Sequence, residues 1–215
     1  MFSVEKASLA QKLLSKLVKV VPIDLSKVNT VSGVDVSYKG NIGCAVATAY
    51  SLRSKTLLLY SYYCDTVNVP YIPGFLAFRE APLMIKALIG LMNKVGVDVV
   101  LVNGHGIAHP RKCGIASHIG VVLDIPSIGV ARKLLYGNVV KVNEKEAIIV
   151  DGTIVGYVLS KENSKLYVSI GHKVTAEEAS QLVLNLWRPG TILPEPLRLA
   201  DELSRKIVRK SAANP

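Results

Sequence analysis

The chain has 215 residues, half of them hydrophobic, which suits one compact domain over residues 1–215 and argues against several domains or a disordered tail. Lys and Arg outnumber Asp and Glu by 26 to 16, an excess that favours a polyanionic partner, either nucleic acid or an anionic surface. No run reaches the roughly 18 apolar residues of a membrane span, and an N-terminus carrying Glu5 and Lys6 lacks the ordered regions of a signal peptide, so a cytoplasmic monomer with no membrane partner is expected.

From Ser8 to Val21 the residues Leu9, Leu13, Leu17 and Val21 recur at helical spacing, and Pro22 stops the pattern: an amphipathic helix. Val31–Tyr38, Ile42–Tyr50 and Leu57–Cys64 read as strands of an antiparallel meander, separated by Lys39-Gly40 and by the polar stretch Ser51–Lys55. A loop punctuated by Pro70 and Pro73 follows. Met84, Leu88, Leu91 and Val95 then mark a second helix, with Pro82 in its first turn and Glu80 at its N-terminal end.

Val97–Val102 is a nearly continuous apolar run, as expected of a strand buried on both faces, and it stops at Asn103-Gly104. Gly106–Gly114 reads as loop, Ile115–Leu123 as helix and Ser127–Ala131 as another buried strand. Asp151-Gly152, between Ala147–Val150 and Thr153–Leu159, is a hairpin signal, and Leu166–Ile170 supplies one more strand. Two helices close the chain. Thr175 and Glu178 have capping-box spacing, and Pro196 opens a helix carrying Arg198, Arg205, Lys206, Arg209 and Lys210. The cysteines Cys44, Cys64 and Cys113 are an odd set without CxxC spacing, so they read as core residues rather than as a disulfide framework or zinc site.

Alternation puts Asp35 and Ser37 on the strand face opposite Val34, Val36 and Tyr38, and a carboxylate in mid-strand is unusual. Asn103 ends a buried strand, where the crevice beyond the carboxyl ends of parallel strands commonly holds ligands, and Glu80 can reach the same crevice. Oxygen ligands converging there suit Mg²⁺ or Mn²⁺, which can activate water and neutralise phosphoryl charge in phosphodiester cleavage.

Five stretches in order, VSGVDVSY at 31–38, PYIPGFLAFRE at 70–80, GHGIAHPRKCGIASHIG at 104–120, IPSIGVAR at 125–132 and SIGHKVT at 169–175, resemble the motifs of the endonuclease V family. The resemblance implies an α/β, ribonuclease H-like mixed sheet flanked by helices. It also implies a divalent-metal-dependent endonuclease that recognises inosine in DNA, and that in RNA as well, nicking the second phosphodiester 3′ to the lesion. Carried over by position, Asp35 and Glu80 match metal-binding carboxylates and His172 an active-site histidine, whereas Arg132 stands where lysine is common. Tyr71 resembles a wedge that fills the space of a flipped base. Gly74, Leu76, Gly104, Gly114 and Ile115 match pocket positions, where close backbone approach reads the hypoxanthine edge. His109 lies in the same motif loop and can orient it or contact phosphate; His105 and His118 acquire no role.

Asn103 departs from the pattern, which has aspartate there. A neutral amide oxygen, introduced by design or by descent, holds a hard cation less well, so cleavage should weaken more than binding. An inosine-binding protein that does not cut is the alternative. A basic RNA-binding structural module would explain the charge but not the ordered motifs.

Overall fold

The computed structural model describes residues 2–162 and 164–211. The meander forms as read: β1 (Thr30–Lys39), β2 (Ile42–Ser51) and β3 (Thr56–Thr66) pair antiparallel. Strands β4 (Val99–Asn103) and β5 (Ser127–Ala131) extend the sheet from β1 in parallel. After β6 (Asn138–Val142), which the sequence reading did not anticipate, β7 (Lys145–Val150), β8 (Thr153–Lys161) and β9 (Ser164–His172) complete one nine-stranded sheet in the order β3-β2-β1-β4-β5-β9-β8-β7-β6. Asp151 and Gly152 both adopt positive φ, 48° and 76°, as the tight turn between β7 and β8 requires.

Helices cover both faces, in agreement with a mixed α/β sheet. Against one face lie α2 (Leu76–Met92) and α3 (Ile115–Leu123), packed on Val34, Ala45, Val100 and Val102. Against the other lie α4 (Ala176–Leu186) and α5 (Glu195–Ser211), whose Leu182 and Leu197 share a core with Val31, Val99 and Leu101. β4 is thereby buried on both faces, as its apolar run predicts.

Three expectations are corrected. The first helix, α1, spans only Val4–Ser15, so Leu17 and Val21 lie beyond it, and its leucines face outward: Leu9 and Leu13 are 58% and 54% exposed, while Ala7 and Gln11 are buried. Helix α2 begins at Leu76, so Glu80 lies in its second turn and Pro82 is interior, where its ring nitrogen cannot donate to the carbonyl of Phe78. Cys44 and Cys64, directly opposite in the β2–β3 register, form a disulfide, and only Cys113 is a free thiol among the described residues. Spacing along the chain carries no sign of that pairing, which depends on strand register. Thiol titration of the denatured, unreduced chain should therefore find one thiol and, after reduction, three; three before reduction would show that the bond is absent.

Candidate active site

The parallel register that sets Val34 beside Val102 brings Asp35 level with Asn103, whose Nδ2 donates to Asp35 Oδ1 at 3.0 Å. Asp35 is 6% exposed because α5 lies over β1. That helix seats on Gly33, where a Cβ would stand 2.2 Å from the carbonyl carbon of Pro196, and Thr48 Oγ1 donates to the Pro196 carbonyl at 3.0 Å. Ser37 and Ser204 hydroxyls, 2.8 Å apart, fix the next turns. The seating places Asp201 beside Asp35. The sequence reading saw only cations in α5 and missed Asp201. Its signal was position: Leu197, Ala200, Ser204 and Val208 form the buried stripe of α5, and Asp201 borders that stripe.

Glu80 approaches from α2, next to Tyr38, over whose ring the Arg79 guanidinium sits 4.4 Å from the centroid. Burial pushes the Asp35 carboxyl up to about 7, against hydrogen bonds from Asn103 and the Val36 amide, with Asp201 adding repulsion. Burial, then the charge of Asp35, pushes Glu80 up to about 8. Arg79 offsets the rise at Glu80 only in part, and Asp201 is itself paired with Arg205, whose Nη2 lies 2.7 Å from Asp201 Oδ1. Among the described residues no three His, Cys, Asp or Glu side chains stand together closely enough to hold a metal ion. The donor set of Asp35, Glu80, the Asn103 amide and Asp201 is nevertheless all oxygen, which fits a hard divalent cation in its chemistry.

His172 is not brought to this cluster. It pairs with Ser127 at the start of β5, whereas Asn103 pairs with Val130 near its end. The ring is buried, Nδ1 accepting from the Lys19 amide at 3.2 Å and Nε2 facing Asp124 Oδ1 at 3.4 Å. Arg132 is exposed just beyond β5.

The pocket residues expected from the motifs do converge. Gly74, Leu76, His109, Gly114 and Ile115 line one cavity with Gln11, Ala77, His105 and Leu135. Gly104 adjoins it: with φ at +155°, a Cβ there would meet Ile115 Cγ2 at 2.4 Å. The cavity holds about 30 Å³, far below the volume of a purine. Tyr71 is 68% exposed on the neighbouring loop. Larger clefts, of about 450 Å³ beside Tyr50 and Arg188 and about 560 Å³ between α4 and the β7–β8 hairpin, lie away from the carboxylates.

Residues 12–202 match the family described as Endonuclease V. Endonuclease V of Desulfurococcus amylolyticus is 46% identical over 198 residues, 92% of this chain and 90% of its own length. The catalytic domain of human endonuclease V is 30% identical with a TM-score of 0.88, covering 100% of both chains. Endonuclease V of Ciona intestinalis, solved with a 24mer DNA containing an inosine followed by a ribo-adenosine, is 26% identical with a TM-score of 0.86, covering 96% of this chain and 98% of that one. A variant of the Ciona protein with asparagine in place of an aspartate was also solved with inosine-containing DNA.

Proposed function

The chain belongs to the endonuclease V family, and from that premise we propose that it recognises inosine in DNA, and secondarily in RNA, and nicks the second phosphodiester 3′ to the lesion. The observation that carries the reading is the peptide joining Asn103 to Gly104: one residue contacts Asp35 and the next adjoins the small cavity, so strand scission and base recognition share a backbone. Asp35, Glu80 and the residue at 103 would hold Mg²⁺, or Mn²⁺ in its place, with Asp201 completing the acidic set. When bound, the cation supplies positive charge to the phosphoryl oxygens and lowers the pKa of water.

The protein's own groups orient and exclude. α5 closes one side of Asp35, while Gly74 and Gly114, which line the small cavity, would bring backbone to the base edge. The exposed Arg132, Arg209 and Lys210 would meet phosphates, whereas Arg198, Arg205 and Lys206 pair with Glu195, Asp201 and Glu202 of α5 itself. His172, remote from the carboxylates, pins the segment after α1 through the Lys19 amide. The whole chain works on this reading as one domain, a cytoplasmic monomer; no helix among the described residues is long and apolar enough to cross a membrane.

A second reading, an inosine-binding protein that does not cut, is favoured by Asn103 alone. Cleavage of a labelled inosine strand by the protein as it stands and by Asn103→Asp, with Mg²⁺ or Mn²⁺, separates the two. The wedge has its own test. Tyr71→Ala should weaken binding to an inosine-containing duplex about tenfold and to the single strand much less, because only a duplex needs the vacated space filled. Equal losses, titrated at one salt concentration, would remove the wedge role.

A further inference from the structure

Helix α1 turns its leucines to solvent and buries a glutamine. Gln11 is 1% exposed, and both polar atoms of its side chain are engaged. Nε2 donates to the carbonyls of Gly74 and Cys113, each at 3.1 Å, and Oε1 accepts from Arg111 Nε at 2.6 Å. Gly74 belongs to the loop after Tyr71, and Cys113 precedes Gly114 at the start of α3, so one amide ties together two walls of the cavity.

The Gly74 carbonyl is held from other directions too. Arg111 Nη2 donates to it at 2.7 Å, and His109 Nε2 lies 2.9 Å away. The Arg111 amide donates to His109 Nδ1 at 3.1 Å, so Nδ1 carries no proton and Nε2 is the donor to Gly74. Burial pushes His109 down to about 4, which keeps this neutral tautomer near pH 7. Gly74 has a φ of +80°, a left-handed conformation that side-chain-bearing residues rarely adopt. Fixing its carbonyl fixes the wall.

We infer that Gln11 is a positioning residue that sets the separation of the Gly74 and Cys113–Gly114 walls, and through it the preference for inosine over other bases. The inference rests on the lesion-pocket reading above. Gln11 precedes the span matched to the family, which begins at residue 12. The chemistry requires an amide: two N–H groups and one acceptor are used at once, glutamate cannot donate, and methionine fills the volume without either function.

The test measures binding of labelled strands identical except for inosine or adenosine at one position, at several salt concentrations with Mg²⁺ present. Gln11→Met and Gln11→Glu should each cut the inosine-over-adenosine affinity ratio by about tenfold, as expected for losing two hydrogen bonds, one buried and one half-buried. Adenosine-strand affinity should change less than about twofold and the salt slope not at all, because phosphate contacts are untouched. Gln11→Glu keeps the side-chain volume and the Arg111 contact, and so reports should Gln11→Met fail to fold. An unchanged ratio overturns the inference. So does an equal loss on both strands, the mark of a merely structural residue. A parent chain with no inosine preference would instead overturn the lesion-pocket reading, and this inference with it.

Discussion

Asn103→Asp should raise strand cleavage by about two to three orders of magnitude, the equivalent of about 3 to 4 kcal/mol of barrier, if charge at the cation site is the main electrostatic contribution. The amide now donates to Asp35 Oδ1 at 3.0 Å and so takes part of the role a cation would have beside that carboxylate. A carboxylate in its place cannot donate and adds a negative charge next to Asp35. In EDTA the variant should therefore unfold at a lower temperature than the parent, and Mg²⁺ should raise its midpoint more than the parent's. Inosine-strand binding should change little, since the pocket and wedge contacts do not use that charge. A variant that bound metal and inosine strands yet cut no faster would put the non-cleaving reading first.

Asp35→Asn and Glu80→Gln, each made in the Asn103→Asp background, should abolish the cleavage gained, a fall of about two to three orders of magnitude. Stability should move the other way. A carboxyl whose folded-state pKa lies above its unfolded value binds its proton more tightly when folded, so its contribution is present at low pH and lost as pH rises through the folded value, about 7 for Asp35. In the parent chain without metal, Asp35→Asn should thus change the unfolding midpoint little near pH 4, below or close to the unfolded pKa. Near pH 8 it should raise the midpoint by roughly 3 to 6 °C. Calorimetry in EDTA at both pH values checks this. A midpoint that falls in both would mean that Asp35 is a structural carboxylate.

The sheet was legible because its signals are local. The run at 97–102 requires burial on both faces, and alternation around Asp35 assigns its face without tertiary information. What failed depended on partners. The leucines of α1 have the period of a buried stripe, but that helix packs through Ala7 and Gln11, and no periodicity distinguishes a buried glutamine with three partners from one in solvent. His172 sits in a matched motif, yet motif order says nothing about which end of β9 faces the carboxylates. Glu80 was placed on the correct helix but one turn early, because Pro82 was read as a first-turn residue.

Asp201 rides on the last helix, and that helix can seat only on a finished β1, where Gly33 leaves room for Pro196. Domains are made and folded from the N-terminus onward. While the ribosome is still adding α5, the chain already carries Asp35, Glu80, residue 103 and the loops around Gly74 and Gly114, but the face of β1 around Asp35 is still open to water. Enclosure of Asp35 therefore comes only when α5 docks, and a chain stopped short of α5 would hold that carboxyl open to solvent, with its ordinary acidity restored.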